Sequence, residues 1–398
     1  MKTLAVVTLG GALLTQGVAA EELFFEATGQ ISTQFSYFTQ DAQFAGQDYS
    51  SNLSIAVEPE LYWEWNAGDD SVTFKPFLRK DQRDGARTHG DIRELSWVHL
   101  GDDWELRTGV RKVFWGVTEF QHLVDTINQS DTVENLNNEE KLGQPMINLS
   151  VIKDWGIVDA FVLPGFREQT YVSSSSRFRG SLAVDDSLTT FESDKGREHL
   201  DLALRWSHSF DVYDVGLHWF KGTDRAPQYR AVSKNGNQVL QAHYQQIEQV
   251  GLDLQATIDS WLWKVEAKYQ QNATEDFWAS QSGFEYTFYG VNESAADIGV
   301  LLEYGYDDRG EQGGIMQNDV AIGARLTLND EASSELLAGV LYDLDSDGTS
   351  FQVEASRRIG DDWKAEVELN VYSSDQASDP VSNLDRDDRV LFTLRRYF

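Results

Sequence analysis

The sequence predicts a transmembrane antiparallel β-barrel of about 18 strands, with about 16 as the second choice. Three observations carry this. The chain opens like an export signal, its strands alternate apolar and polar residues with tryptophans near their ends, and short and long connections follow one another in turn.

At the start, Lys2 and an apolar run from Leu4 to Leu14 precede Gly17, Val18, Ala19 and Ala20. A basic start, a short apolar core and small residues before a cut define a secretory signal. Residues 1–20 are therefore expected to be removed and 21–398 to form one barrel domain. The apolar run falls well short of the roughly 20 residues that a spanning helix requires.

Composition narrows the class. Mean hydropathy is -0.44, as expected when lipid-facing and water-facing residues alternate and cancel. There is no cysteine, and a closed hydrogen-bonded sheet needs no disulfide framework. A formal net charge of -32 excludes nucleic acid as a partner. No metal-ligand or cofactor motif stands out, so no cofactor is expected.

Along the chain, Trp261, Trp263, Val265, Ala267 and Tyr269 alternate with Leu262, Lys264, Glu266 and Lys268. Trp363 to Val371 repeats the pattern, and so do stretches near 53–65, 72–78, 200–206, 250–258 and 320–328. One face is oily and the other wet. Trp63, Trp65, Trp206, Trp219, Trp261, Trp263 and Trp363 fall near expected strand ends, where indole rings form the aromatic girdle of a membrane barrel. Phe398 is expected to join them.

Tight connections are expected at 66–70, 101–103, 154–156, 210–214, 259–260, 292–297, 329–334 and 360–362. Long polar ones are expected near 39–50, 81–90, 116–144, 164–197, 222–244, 271–282, 307–317, 343–349 and 374–386. With the N-terminus in the periplasm, this alternation sends every long segment outside.

The chain stops at Val390-Leu391-Phe392-Thr393-Leu394-Arg395-Arg396-Tyr397-Phe398. This end resembles the C-terminal signal that the barrel-assembly machinery reads, except at Arg396. The segments Val113 to Glu119, Asp125 to Gln129, Lys141 to Pro145 and Leu163 to Glu168 resemble a family of uncharacterised proteobacterial outer-membrane porin-like proteins. More distantly, the layout is similar to alginate-export-type barrels. The resemblance implies an outer-membrane location, lipid and the assembly machinery as partners, and small solutes as cargo; barrels of this kind are often homotrimers, though no interface is marked in the sequence. It implies no particular substrate.

The long connection from Gly116 to Gln144 is the place to look for function. Thr118-x-x-Gln121 reads as a capping box, with Phe120, Leu123, Val124 and Ile127 at helical spacing behind it, and a second short helix is expected from Asp131. These signals predict a partly helical loop after the fifth strand, folded inward to narrow the pore. Its Asp125, Asp131, Glu134, Glu139 and Glu140 would then oppose Arg79, Arg107 and Arg111 on the wall, setting up a transverse field across the passage. The alternative is that these acids line a solvated helix face.

Strand parity points Glu58, Glu60, Glu64, Asp201, Asp253, Glu266, Glu303, Glu354, Glu366 and Glu368 inward against Lys75, Arg205, Lys264, Lys268, Arg325, Lys364 and Arg395. The excess of acids predicts a weak preference for cations. A selective transporter or exporter of a polysaccharide or a hydrophobic compound is the second functional reading. A hydrolase is disfavoured, since none of the seven histidines sits in a Gly-x-Ser-x-Gly or His-Glu-x-x-His setting.

Overall fold

The computed structural model describes residues 23–135, 139–376 and 379–398; the expected export signal lies outside them. In chain order the strands are β1 (Phe24–Phe38), β2 (Ser51–Trp65), β3 (Asp70–Asp81), β4 (Gly90–Leu100), β5 (Trp104–Arg111), β6 (Gln144–Lys153) and β7 (Gly156–Pro164). Next come β8 (Thr190–Phe191), β9 (Leu200–Phe210), β10 (Tyr213–Thr223), β11 (Gln228–Lys234), β12 (Asn237–Tyr244), β13 (Gln246–Ile258) and β14 (Trp261–Gln271). The last are β15 (Asp276–Phe288), β16 (Asp297–Asp307), β17 (Asn318–Thr327), β18 (Glu335–Asp343), β19 (Thr349–Ile359), β20 (Trp363–Ser373) and β21 (Arg389–Tyr397).

An 18-stranded sheet holds all of these except β8, β11 and β12, which form a small sheet of their own. Every wall strand pairs antiparallel with its neighbours, and β1 pairs with both β2 and β21, so the ring is closed. Closure leaves the wall without a free edge.

The alternation read from the sequence sets the two faces. On β14, Trp261, Trp263 and Tyr269 are exposed on the outside, whereas Lys264 and Glu266 are buried within. Short connections gather at one end of the barrel, and both described chain ends lie there; the long ones gather at the opposite, loop end. Asp211 and Asp259 take positive φ in two-residue turns at the turn end, where Asp adopts the left-handed conformation more readily than most residues. Trp63, Trp65, Trp206, Trp261, Trp263 and Trp363 lie toward the turn end, and Trp219 lies further along β10, its indole N–H donating to Glu248 at 2.9 Å. Phe398 exchanges backbone hydrogen bonds with Gly29. The Arg396 guanidinium stacks 5.6 Å from the Trp363 ring centroid, which accommodates the one departure in the terminal segment.

One patch of wall departs from the regular ladder. Val57 pairs with Leu78 and Leu61 with Phe74, which sets Pro59 opposite Pro76, and pairing is interrupted between those points. Neither proline has an N–H to give. On the far side of β3 the register slips at Lys75/Pro76, leaving Arg93 of β4 as the extra residue. A bulge re-aims side chains; here Arg93 is 3% exposed and turned inward.

Candidate solute passage

The segment between β5 and β6 turns into the barrel and crosses it. Trp115, Val124 and Ile127 pack with Met146, Phe161, Leu163, Phe220 and Ile247 of the wall, making an apolar core inside the cylinder on the β6 to β13 side. Inward Phe161 and Phe220 therefore serve this packing.

Next to this core, on β14 and further round the ring on β16, the segment is held by two carboxylates. Glu266 on β14 is fully buried and accepts the N–H of Val117 at 2.6 Å, of Thr118 at 3.0 Å and of Val124 at 3.2 Å. Glu303 on β16 accepts the N–H of Glu119 at 2.7 Å and of Phe120 at 3.1 Å. The Glu119 carboxylate in turn meets Arg325 at 2.7 Å and Lys264 at 3.4 Å.

This arrangement overturns the expected helices. The described part of the segment is a succession of turns without an α-helix. Of the amides that the wall carboxylates take, that of Val124 is one a helix capped at Thr118 would have needed, and the apolar residues expected on one face are divided. Val124 and Ile127 enter the core with Leu123 against it, while Phe120 reaches the far wall. The Thr118 hydroxyl, expected to cap a helix, instead lies 2.5 Å from the Gln121 carbonyl and 2.7 Å from Glu266. From Asp131 the chain makes a single turn, with the amides of Glu134 and Asn135 donating to its carbonyl; the rest of that expected helix runs into residues 136–138, outside the described residues.

Phe120 rests on a seat of glycine. Gly323 and Gly339 are cross-strand partners on β17 and β18, and a Cβ at Gly339 would stand 3.0 Å from the Phe120 ring. Gly339→Val is expected to lift Phe120 and weaken docking of the segment by about 1–3 kcal/mol. Slower tryptic cleavage after Lys141 in the variant than in the parent would contradict this.

The predicted acids find partners, though few of the expected ones. Glu134 engages Arg79 through two contacts of 2.8 and 2.9 Å and His89 at 2.8 Å. Asp131 pairs with Arg93 at 2.6 Å, both groups buried. Asp125 meets Lys141 at 3.2 Å and Glu140 meets Lys112 at 3.5 Å, within the same segment. Glu139 lines the chamber above. Arg107 and Arg111 do not meet these acids: they stay on the β5 wall, Arg107 against Glu105 and Ser150 and Arg111 against Asn148. The basic group that replaces them is Arg93, which alternation alone does not reveal because the bulge breaks it. Pro76 inside a strand pattern was the available sign.

Burial alone would lift the Glu134 carboxyl, but the His89 hydrogen bond and the charges of Arg79 and Arg87 outweigh it and hold it at about 2. Burial raises Asp125 above the ordinary carboxylate range despite Lys141.

Open space remains on the side away from the apolar core. A chamber of about 640 Å³ lies toward the loop end. A narrower one of about 200 Å³ shares Glu134, Asn135, Glu368 and Arg389 with it. A third, of about 690 Å³ at the turn end, shares Gln30, Glu58 and Arg395 with the second. The three succeed one another along the wall formed by β1, β2, β20 and β21.

No protein-family model matches the chain, and no curated protein matches its sequence. Solved structures share the fold. OccAB1 of Acinetobacter baumannii superposes with a TM-score of 0.56 at 8% identity, over 94% of this chain and 96% of that one. A BenF-like porin from Pseudomonas fluorescens Pf-5 gives 0.55 at 9% identity, over 95% and 98%. Wzi of Escherichia coli, described as a carbohydrate-binding β-barrel involved in group 1 capsule assembly, gives 0.51 at 10% identity, over 93% and 83%. This chain is thus a closed 18-stranded antiparallel barrel of the architecture seen in outer-membrane porins.

Proposed function

We propose that the protein is a porin-like channel of the outer membrane, passing small solutes along an off-axis route narrowed by residues 112–135 and 139–143. The observation that carries this reading is the succession of three chambers beside a segment tied to β3 and β4 at one end and to β14 and β16 at the other. On this reading the loop end faces outside and the turn end the periplasm. Trp63, Trp65, Trp206, Trp219, Trp261, Trp263, Trp363 and Phe398 lie against lipid, most of them at the headgroup level. Residues 1–20 direct export, and the last strand is the handle for the barrel-assembly machinery. The BenF-like porin shares the fold, which supports the reading, and a homotrimer is compatible with it.

The narrows lie where Glu134 and Asn135 face Glu368 and Arg389, with Glu139 above and Glu140 below. Charged groups of both signs at close quarters orient polar solutes, and the acidic excess favours cations. Planar-bilayer recording with a panel of salts and small sugars tests this. Stepwise conductance with reversal potentials on the cation side is expected. A folded barrel that conducts nothing would overturn the channel, and reversal on the anion side would overturn the charge preference.

The Glu134 clamp gives the passage a pH signature. Its carboxyl lies below the ordinary value of 4.5, so it favours docking at every pH above about 4.5 and loses that contribution as pH falls toward about 2. The difference is a few kcal/mol. Conductance is expected to be level from neutral pH to about 5 and to change below about 4; a transition centred near neutrality would contradict the assignment to Glu134.

A further inference from the structure

Where Pro59 of β2 faces Pro76 of β3, residues 58–60 and 75–77 take no part in the ladder between the two strands, which is intact at Val57 with Leu78 and at Leu61 with Phe74. In an antiparallel ladder every second facing pair exchanges both of its N–H···O bonds. Were Glu58 with Phe77 and Glu60 with Lys75 the exchanging pairs, all four residues could donate and the ladder would run through. Pro59 and Pro76 are therefore the exchanging pair, and neither has an N–H. Hydrogen-bonded pairs stand roughly 13 Å apart here, twice their usual spacing, at about 3.3 Å per residue. The two proline carbonyls are left without the donors that the ladder supplies elsewhere.

The height of this seam makes it costly. Leu53, Ile55 and Leu78 are exposed on the outer face, and alternation puts both prolines on that face. Trp63 lies four residues further along β2 toward the turn end. On the channel reading, on which this inference rests, the prolines stand in the apolar band inside the aromatic girdle. Hydrocarbon offers no donor to their carbonyls. On its other edge β3 is loosened as well, by the register slip at Lys75/Pro76.

Directly behind the seam the second and third chambers meet. Glu58 borders both, Ala56 and Phe77 border the second, and Glu60 and Lys75 the third. The inner lip is amphipathic: the buried Phe77 ring lies on one side and the Glu60–Lys75 ion pair, at 2.8 Å, on the other. Such a lip suits a solute with an apolar body and one polar group, the polar group at the ion pair and the body against Phe77 and then hydrocarbon.

We propose that β2 and β3 part at Pro59 and Pro76 to give the passage a side exit into the bilayer, used by small amphiphiles of that kind.

Opposed residues of an exchanging pair stand about 5.5 Å apart at Cα, within reach of a disulfide, and the chain has no cysteine of its own. Pro59→Cys combined with Pro76→Cys therefore closes the seam in a way that reductant reverses. The probe is N-phenyl-1-naphthylamine, an uncharged aromatic amine that fluoresces in hydrocarbon, added to cells carrying the full chain in an intact outer membrane. Entry is expected to be several-fold faster with the parent than without the protein, to fall to the protein-free rate in the oxidised double variant and to recover on reduction. Planar-bilayer conductance of the oxidised variant is expected to match the parent. Equal entry in the oxidised and reduced variant overturns the side exit, and so does a fall of entry and conductance together, which assigns the dye to the axial route. A parent that conducts but admits no dye overturns the exit alone; one that does neither overturns the channel reading with it. Should the double variant fail to assemble, Pro76→Val, which returns one N–H to the ladder, is expected to slow dye entry, and entry unchanged from the parent overturns the exit.

Discussion

Deleting residues 118–141 is expected to raise single-channel conductance several-fold while the barrel stays resistant to detergent until boiled. The removed stretch holds the Glu266 and Glu303 contacts, the Glu134 and Asp131 ion pairs, and the Val124 and Ile127 half of the internal core. Without it the lumen is bounded by wall side chains alone. Met146, Phe161, Phe220 and Ile247 then face water, so a lower unfolding temperature accompanies the wider bore. The ring itself persists because none of its strand pairings involves 118–141. Conductance equal to that of the parent would show that the segment does not narrow the route.

Replacing Glu266 by Ala is the second large effect. One carboxylate serves the amides of Val117, Thr118 and Val124 and the Thr118 hydroxyl. Each buried donor left without a partner costs about 1–3 kcal/mol, so the loss of docking is on the order of several kcal/mol, reduced to the extent that water enters. The segment is expected to come away from β14 while its Arg79 and Arg93 contacts remain. Frequent transitions between conductance levels and faster cleavage by trypsin after Lys141 are the readouts. Glu266→Gln keeps one acceptor oxygen and should fall between the parent and Ala. An Ala variant as quiet and as protected as the parent would remove Glu266 from the latch.

The barrel was legible because its two determinants are local. Period-two alternation fixes which side of a strand meets lipid, and turn chemistry such as that at Asp211 and Asp259 fixes where a hairpin reverses; both are visible within about ten residues. The inward crossing was legible only as an expectation, since an apolar stretch such as Val124 to Ile127 must be covered by something. What was hidden depends on distance in sequence. Thr118 carries a capping signature, but its fate is decided by Glu266, which lies far along the chain and reaches it only through closure of the ring. The amide of Val124, which a helix capped at Thr118 would have turned back on Phe120, goes to the same carboxylate instead. Arg107 and Arg111 were placed on the right wall and the wrong level, because parity gives the face of a strand and not the height at which a crossing segment passes it. Arg93 was missed because a bulge cancels the very rule used to find inward residues.

The antiparallel contact between β1 and β21 also constrains how such a cylinder can change over evolutionary time. Adding or losing a single strand would bring the first and last strands together running the same way, and the hydrogen-bonding pattern at the seam would have to be replaced. Circumference therefore grows or shrinks by whole hairpins, and each such event adds or removes one turn and one loop without moving either chain end to the other side.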